Sequence, residues 1–534
     1  MSINESILLM GAVILICILT SRFLQKIPVP SLLLFLALGM CFGENGPVGI
    51  VFNDYAAVNV ICSASLICIM FYGGFGTNLS AARPVLGQAA VLSTLGVAGT
   101  AGAVALFAHL ALDLPMLESF LIGAVISSTD AASVFNILRC NKLALKDHTD
   151  SLLEVESGSN DPMSYMLTAA AVALMAGQQI SVPLLLFRQL TLAIACGLIL
   201  GALAARLLGS SLLLNQESRT VFLFGVMLLS YALPAVLGGN GYLAVYLCGI
   251  RLGNTRLTNK RYLVHFFDVL TDVSQVIIFF LLGLLVTPAE LPAVLLPALA
   301  IMAFLTLVAR PVVTGLLLLP FRSGLGQMGL VSWAGLRGAA SIVFAISAVL
   351  GGVSTRYNLY NLIFCIVLLS ISLQGTLLPR VARRLGMVDR DKDVNKTFSD
   401  YQEEGDIQFV RLQLRPGHRW CGRTLGQLAL PADLLVATIF RAGQALVPSG
   451  STVLEPGDVL VLAAKAFEGG KQLGVRELEV DGRWAGKTLS DVALDKGELV
   501  ILVKRGTANR IPTGSTVLRA GDVLVLAQPS EDDA

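Results

Sequence analysis

Residues 152–165 read LLEVESGSNDPMSY and place Glu154, Glu156 and Asp161 at the opening of a run that is otherwise apolar enough to enter a bilayer. An ionisable group at membrane depth costs about 2.5 to 3.5 kcal/mol on insertion scales, so one that persists there is a functional candidate by default. Two further segments share the property: residues 125–135, VISSTDAASVF, with Thr129 and Asp130, and residues 332–341, SWAGLRGAAS, with Arg337. Their glycines and small polar residues suit locally unwound helices, because irregular backbone is tolerated at membrane depth only inside protein or beside water.

The rest of the chain supplies the membrane context. Of 534 residues 55% are hydrophobic and only 14% charged, with mean hydropathy +0.75, a balance that fits a polytopic membrane protein and not a soluble one. Runs of about 20 apolar residues, the length a bilayer core requires, number about thirteen, starting near residues 6, 29, 56, 88, 118, 151, 184, 219, 240, 264, 291, 325 and 358. If they alternate, one set of loops collects basic residues from Arg22 and Lys26 through Arg139, Lys142 and Lys146 to Arg383 and Arg384. The other holds little beyond Arg188 and Arg356. That asymmetry predicts an outside N-terminus and a cytoplasmic C-terminus in a cell membrane, inner or plasma. No basic segment precedes the first apolar run, which therefore reads as a span and not as a cleavable signal. A net charge of +2 excludes the broad basic surface that nucleic-acid binding needs. Nine scattered cysteines, without CxxC pairs, read as small buried hydrophobes.

Past Arg384 the apolar runs stop. Residues 1–385 form the expected membrane domain, residues 386–405 a linker dense in both charges, and residues 406–467 and 470–534 two small α+β domains. The last two are a repeat at a constant offset of 64: Trp420, Gly422, Thr424, Pro448, Gly450, Gly457, Asp458 and Val459 recur as Trp484, Gly486, Thr488, Pro512, Gly514, Gly521, Asp522 and Val523. Strands are expected at Leu434 to Phe440, Val459 to Leu462, Leu499 to Val503 and Val523 to Leu526.

On a helix Ser157 and Asp161, four apart, share a face, so a hydroxyl oxygen and a carboxylate can address one ion. Pro162 lacks an N–H and frees the carbonyl of Gly158 as a further oxygen donor. Glu156 falls about 140° away around the helix and faces elsewhere, with Arg337 as its expected partner. Burial favours the protonated form of Asp161 and a bound cation favours its carboxylate, so proton and cation compete for one group.

The segments STDAA, ESGSNDP, GGNGYLAVYLCGI, LLGLLVTP, ARP and WAGLRGAAS resemble, in order and over residues 1–385, the signatures of cation-proton antiporter family 1, in particular its bacterial potassium-proton branch. The resemblance implies a polytopic all-α fold with an inverted repeat and crossed broken helices, here spans five and twelve, and a secondary transporter, not an enzyme. It assigns ion and proton binding to Asp161 with Asp130, Thr129 and Ser157, and a structural ion pair to Glu156 and Arg337. Asn160 stands where electrogenic relatives carry a second aspartate, which implies an electroneutral exchange of K+ or Na+ for H+. Many relatives have an acid just before the glycine pair of span three, where this chain has Tyr72. The tail resembles two tandem TrkA C-terminal domains, implying a homodimer and a regulatory ligand such as a cyclic dinucleotide, another nucleotide or an ion; transport itself calls for no cofactor.

Asp268 and Asp272 share a helix face and read as a solvated helix end, with an ion funnel as the alternative. The sequence GLGQMG at residues 324–329 matches a dinucleotide fingerprint formally but lacks the strand before it and the acid after it. A tail-gated channel or membrane-anchored sensor, and an intramembrane aspartyl protease using Asp130 and Asp161, are the rival functions.

Overall fold

In the computed structural model the described residues are 11, 15, 31–44, 46–50, 54–141, 143–209, 216–255, 257, 260–389, 407–414, 418–428, 430, 434–441, 444–465, 474–480, 484–492, 499–505, 508–510, 512, 514–519 and 521–528. The first expected span and the linker from residue 390 onward lie outside them, apart from Gly11 and Leu15. The chain divides into two compact units, Met1–Gln402 and Glu403–Ala534.

The first unit is helical: α1 (Ser31–Phe42), α2 (Tyr55–Gly76), α3 (Leu79–Leu112), α4 (Met116–Ile126), α5 (Ala131–Cys140), α6 (Thr149–Met175), α7 (Val182–Gly209), α8 (Gln216–Val236), α9 (Gly241–Gly253), α10 (Lys260–Leu284), α11 (Pro288–Phe321), α12 (Leu325–Trp333), α13 (Ala339–Leu350) and α14 (Leu359–Arg384). Each apolar run from residue 31 onward thus coincides with one helix or one broken pair. Among the described residues seven helices are long and apolar enough to cross a membrane by length and composition. The 27-residue α6, about 40 Å long, is not among them, because Asp150, Glu154, Glu156 and Asp161 lie along it. The hydropathy test fails where the polar groups of a site accumulate.

Two spans are interrupted. Helices α4 and α5 meet at a 41° bend across Ser127–Asp130, and α12 and α13 are separated by Ala334–Gly338. Asp130 ends the first interruption as the N-cap of α5, its Oδ1 accepting from the Ser133 N–H at 3.2 Å. Wide π-type turns occur at Leu305–Ala309, just before Arg310, and at Ser370–Gly375. Such turns leave helical carbonyls and side chains out of the ordinary ladder, and both lie beside buried arginines. A two-stranded clip, β1 (Ala144–Leu145) against β2 (Val388–Asp389), ties the α5–α6 loop to the chain leaving α14. The buried core around these elements is aromatic and aliphatic, with Phe71, Phe75 and Phe267 packed ring on ring.

The second unit contains two antiparallel four-stranded sheets. The first, from β3 (Ile407–Gln413), β4 (Leu434–Arg441), β5 (Gln444–Leu446) and β6 (Val459–Lys465), has the order β3-β6-β4-β5. The second, from β7 (Gly474–Glu479), β8 (Leu499–Arg505), β9 (Ala508–Arg510) and β10 (Val523–Gln528), has the order β7-β10-β8-β9, the same arrangement one repeat later. All four expected strands begin at the expected residue. Their cores correspond: Val436, Ile439, Leu454 and Leu460 are buried in one sheet, Val500, Val503, Leu518 and Leu524 in the other. Among the described residues each copy carries one 3-10 turn, Leu425–Gln427 or Leu489–Asp491.

Candidate ion-binding site

Helix α6 grips the first interruption through three side chains. The Ser157 hydroxyl donates to the Thr129 carbonyl at 2.8 Å and accepts from the Ala131 N–H at 2.9 Å. The Asn160 amide accepts from the Thr129 N–H at 3.3 Å and donates to the Thr129 hydroxyl. Oδ1 of Asp161, a residue only 6% exposed, accepts from the Ser128 hydroxyl. Backbone groups that a broken helix would leave unsatisfied are thereby taken up by side chains. All three contacts use the helical face anticipated from spacing. Ser157 is committed to the backbone of residues 129 and 131, a tighter use of its hydroxyl than ion coordination alone.

The second interruption meets the first. The Asp130 N–H donates to the Leu336 carbonyl at 2.8 Å, and Arg337 Nη1 donates to the Ser128 carbonyl at 2.8 Å. A Cβ on Gly338 would lie 2.5 Å from the Cβ of Asp130, so only glycine permits this approach. Arg337 is wholly buried, and its backbone N–H donates to the Ser370 hydroxyl at 3.1 Å.

The expected partnership of Glu156 with Arg337 is overturned. Glu156 Oε1 accepts from both Nη1 and Nη2 of Arg310 at 2.9 Å, and both residues are buried. Arg310 Nη2 also reaches the Val331 carbonyl of α12 at 3.3 Å. The physical reason is directional: Glu156 points away from the Asp161 face, as the helical angle required, and there meets the guanidinium of Arg310, which lies against Gly335 of the second interruption and takes both hydrogen bonds before Arg337 can. Arg310 was visible only as a lone cation within MAFLTLVARPVVTG, and spacing cannot say which of two intramembrane arginines an acid reaches. Ser128 and Asn240 were also missed. Asn240 is buried, caps α9 through the Leu243 N–H at 3.1 Å and donates to the Pro162 carbonyl at 2.7 Å, next to Asp161.

A cavity of about 430 Å³ opens onto Asp161, Asp130, Thr129 and Ser157, with Tyr72, Glu154 and Tyr246 also in its wall. Asp268 and Asp272 line the same space, so the acidic face of α10 belongs to the site's surroundings and is not merely a solvated helix end. The oxygens gathered here are hard donors of the kind alkali cations take. Among the described residues no cluster of three or more histidine, cysteine and acidic side chains is placed to hold a metal ion, and Cys62, Cys68, Cys248 and Cys365 are buried. Cys41 and Cys140 are exposed, against the expectation of burial.

Comparison with known proteins agrees with this architecture. Residues 11–384 match the transmembrane sodium/hydrogen exchanger family, and residues 409–466 and 475–532 each match the TrkA-C domain. The K(+)/H(+) antiporter NhaP2 of Shewanella oneidensis is 35% identical over 468 residues, covering 86% of this chain and 81% of that protein. The K(+)/H(+) antiporter NhaP of Alkalimonas amylolytica is 35% identical over 472 residues, covering 87% and 82%. In fold the chain is similar to the sodium proton antiporter MjNhaP1 from Methanocaldococcus jannaschii, with a TM-score of 0.65 at 23% identity over 72% of this chain and 99% of that one. Neither the protease nor the channel reading survives these matches: the chain belongs to the sodium/hydrogen exchanger family, whose members are membrane cation/proton antiporters and not enzymes, and it carries two TrkA-C domains behind its exchanger unit.

Proposed function

We propose that this chain exchanges K+ for H+, one for one, at Asp161. The observation that supports it is a nearly buried carboxylate, held by one hydroxyl, facing a cavity that also presents Asp130, Thr129 and Ser157. A proton and a cation cannot both occupy Asp161, and the alternation of the two is the coupling. Asp130 differs: both its oxygens accept from Ser133, so it serves as a helix cap and a standing acceptor at the site. Asn160 is neutral and engaged on both faces by Thr129, which leaves one exchanging carboxylate and an electroneutral cycle. The names of the 35% relatives favour K+ over Na+, since oxygen ligands by themselves admit either.

The surrounding reading is a homodimer in the cell membrane, N-terminus outside and tail in the cytoplasm, with the TrkA-C pair sensing a nucleotide or ion and setting the transport rate. The test is cation-driven loss of a pH gradient in vesicles with an acid interior, followed by a dye, with K+, Na+, Li+ and Rb+ in turn. K+ dissipates the gradient in the wild type, and Asp161→Asn falls to the vesicle background. Retained exchange in that variant sinks the assignment, and a Na+ response without a K+ response reverses the choice of cation.

A further inference from the structure

The chain leaving the last membrane helix is built into the ion site's own scaffold. After α14 the backbone turns at Gly386, and Val388 and Asp389 pair as β2 with Leu145 and Ala144 of β1. The Lys146 N–H donates to the Met387 carbonyl at 3.0 Å, extending the contact by one residue. Met387 and Leu145 are buried there. This pairing lies on the loop that joins α5, capped by Asp130, to α6, which carries Ser157, Asn160 and Asp161. Leu143, Ala144 and Leu145 of that loop line the same cavity as Asp161.

The same outgoing segment also touches the second interruption's helix. A Cβ on Gly326 of α12 would lie 2.9 Å from the Leu385 carbonyl and 3.1 Å from the Met387 sulfur, so this approach requires glycine. Gln327 of α12 donates to the Asp147 carbonyl at 3.1 Å and to the Thr149 hydroxyl at 3.3 Å, closing a ring of contacts between α12, the loop and the start of α6. Asp147 and His148 both adopt positive φ, a tight turn with little slack between the clip and α6. A displacement of β2 is therefore passed to α6 and not absorbed by the loop. Two bridged residue pairs make a weak ladder, since even a whole two-stranded hairpin is marginal by itself, so the clip is easily made and broken.

We propose that the β1–β2 clip is the coupling element through which the TrkA-C tail controls exchange: pull or release on the chain beyond Asp389 makes or breaks the pairing and so moves the α5–α6 loop and α12 together. The proposal rests on the reading that the tail regulates transport. It locates that regulation at residues 385–389.

The experiment uses the full chain carrying Ala144→Cys and Asp389→Cys, facing positions in the ladder, in a Cys140→Ser background, with a specific protease site placed between residues 391 and 405. Purified protein, oxidised or reduced, is cut or left uncut and reconstituted into vesicles for K+-driven dissipation of a pH gradient. In reduced protein, cutting the linker changes the exchange rate by about fivefold or more, the range of an ordinary coupling free energy. In oxidised protein, with the clip locked, cutting leaves the rate unchanged. An equal effect of cutting in both states, or failure of the two cysteines to cross-link, overturns the clip while leaving a regulatory tail intact. No effect in either state overturns the regulatory reading and the clip with it. Val388→Pro in the full chain, which opens the ladder without any cross-link, makes the exchange rate insensitive to cutting; an effect of cutting as large as in the Val388 protein overturns the proposal.

Discussion

The two interrupted spans solve the same backbone problem with opposite charges. The interruption at Ser127–Asp130 supplies hydroxyls and an acid, and α6 holds it directly through Ser157, Asn160 and Asp161. The interruption at Ala334–Gly338 supplies Arg337, and α6 braces its helix indirectly, through Glu156 and Arg310 to the Val331 carbonyl. The contacts of the first are hydroxyl, amide and carboxylate groups that can change partners when a proton or cation arrives. Those of the second are an enclosed guanidinium on a backbone carbonyl and a buried ion pair held by two hydrogen bonds. On the proposed function one interruption carries the exchange and the other holds it in place, with α6 as the common anchor.

The sharpest way to break that division is to strip the brace. Glu156→Gln leaves the Arg310 charge buried without its carboxylate, which should destabilise the protein by about 3–5 kcal/mol. A double variant, Glu156→Gln with Arg310→Met, should recover part of that loss, and thermal unfolding of the four proteins in detergent measures the coupling. Additive losses would show that the pair is not a unit. Next in size is Gly338→Ala, whose methyl group must displace Asp130. Overpacking of this kind costs about 1–3 kcal/mol, and K+-driven exchange should fall more steeply than thermal stability, because the displaced group faces the cavity. Equal falls would make the contact structural only.

Asn160→Asp tests the charge count on the exchanging side. The substitution removes the amide donor to the Thr129 hydroxyl and adds a second acid beside Asp161. Exchange in this variant should become sensitive to an imposed membrane potential, read by comparing rates with and without a potassium-ionophore clamp. Potential-independent exchange would mean that the added acid does not join the cycle.

The smallest effect belongs to the tail, where the two repeats offer their own comparison. Arg441 binds Asp458 through Nε and Nη2, both at 2.8 Å, and Arg505 binds Asp522 in the same two-pronged way. These hydrogen bonds hold each aspartate below the usual carboxylate range. Their contribution is therefore present above about pH 4 and is lost as the pH falls through the lowered folded-state value. Arg441 has a second carboxylate, Glu455, at 2.5 Å, whereas the second repeat has Arg519 at the matching position. Asp522→Asn should accordingly loosen β10 more than Asp458→Asn loosens β6, by hydrogen exchange near neutral pH. The difference should shrink in acid.

The span pattern, the tail repeat and the face of α6 that meets the first interruption were legible in sequence because each rests on a period: about 20 apolar residues per span, 64 per repeat, 3.6 per turn; the exchanger class came from the resemblance of its signature segments. Asp161, Asn160, Thr129 and Ser157 were found by the rarity of polar groups in such runs. Long-range partnership has no period. That Glu156 reaches Arg310 over 154 positions and not Arg337, that Arg337 holds the carbonyl of Ser128 over 209, and that Val388 pairs with Leu145 depended on how helices far apart in the chain pack against one another. Local chemistry determined which side chains had to be satisfied within the membrane; only the tertiary structure decided by whom, because a buried charge takes the partner that packing brings within about 3 Å, however far away it lies in sequence.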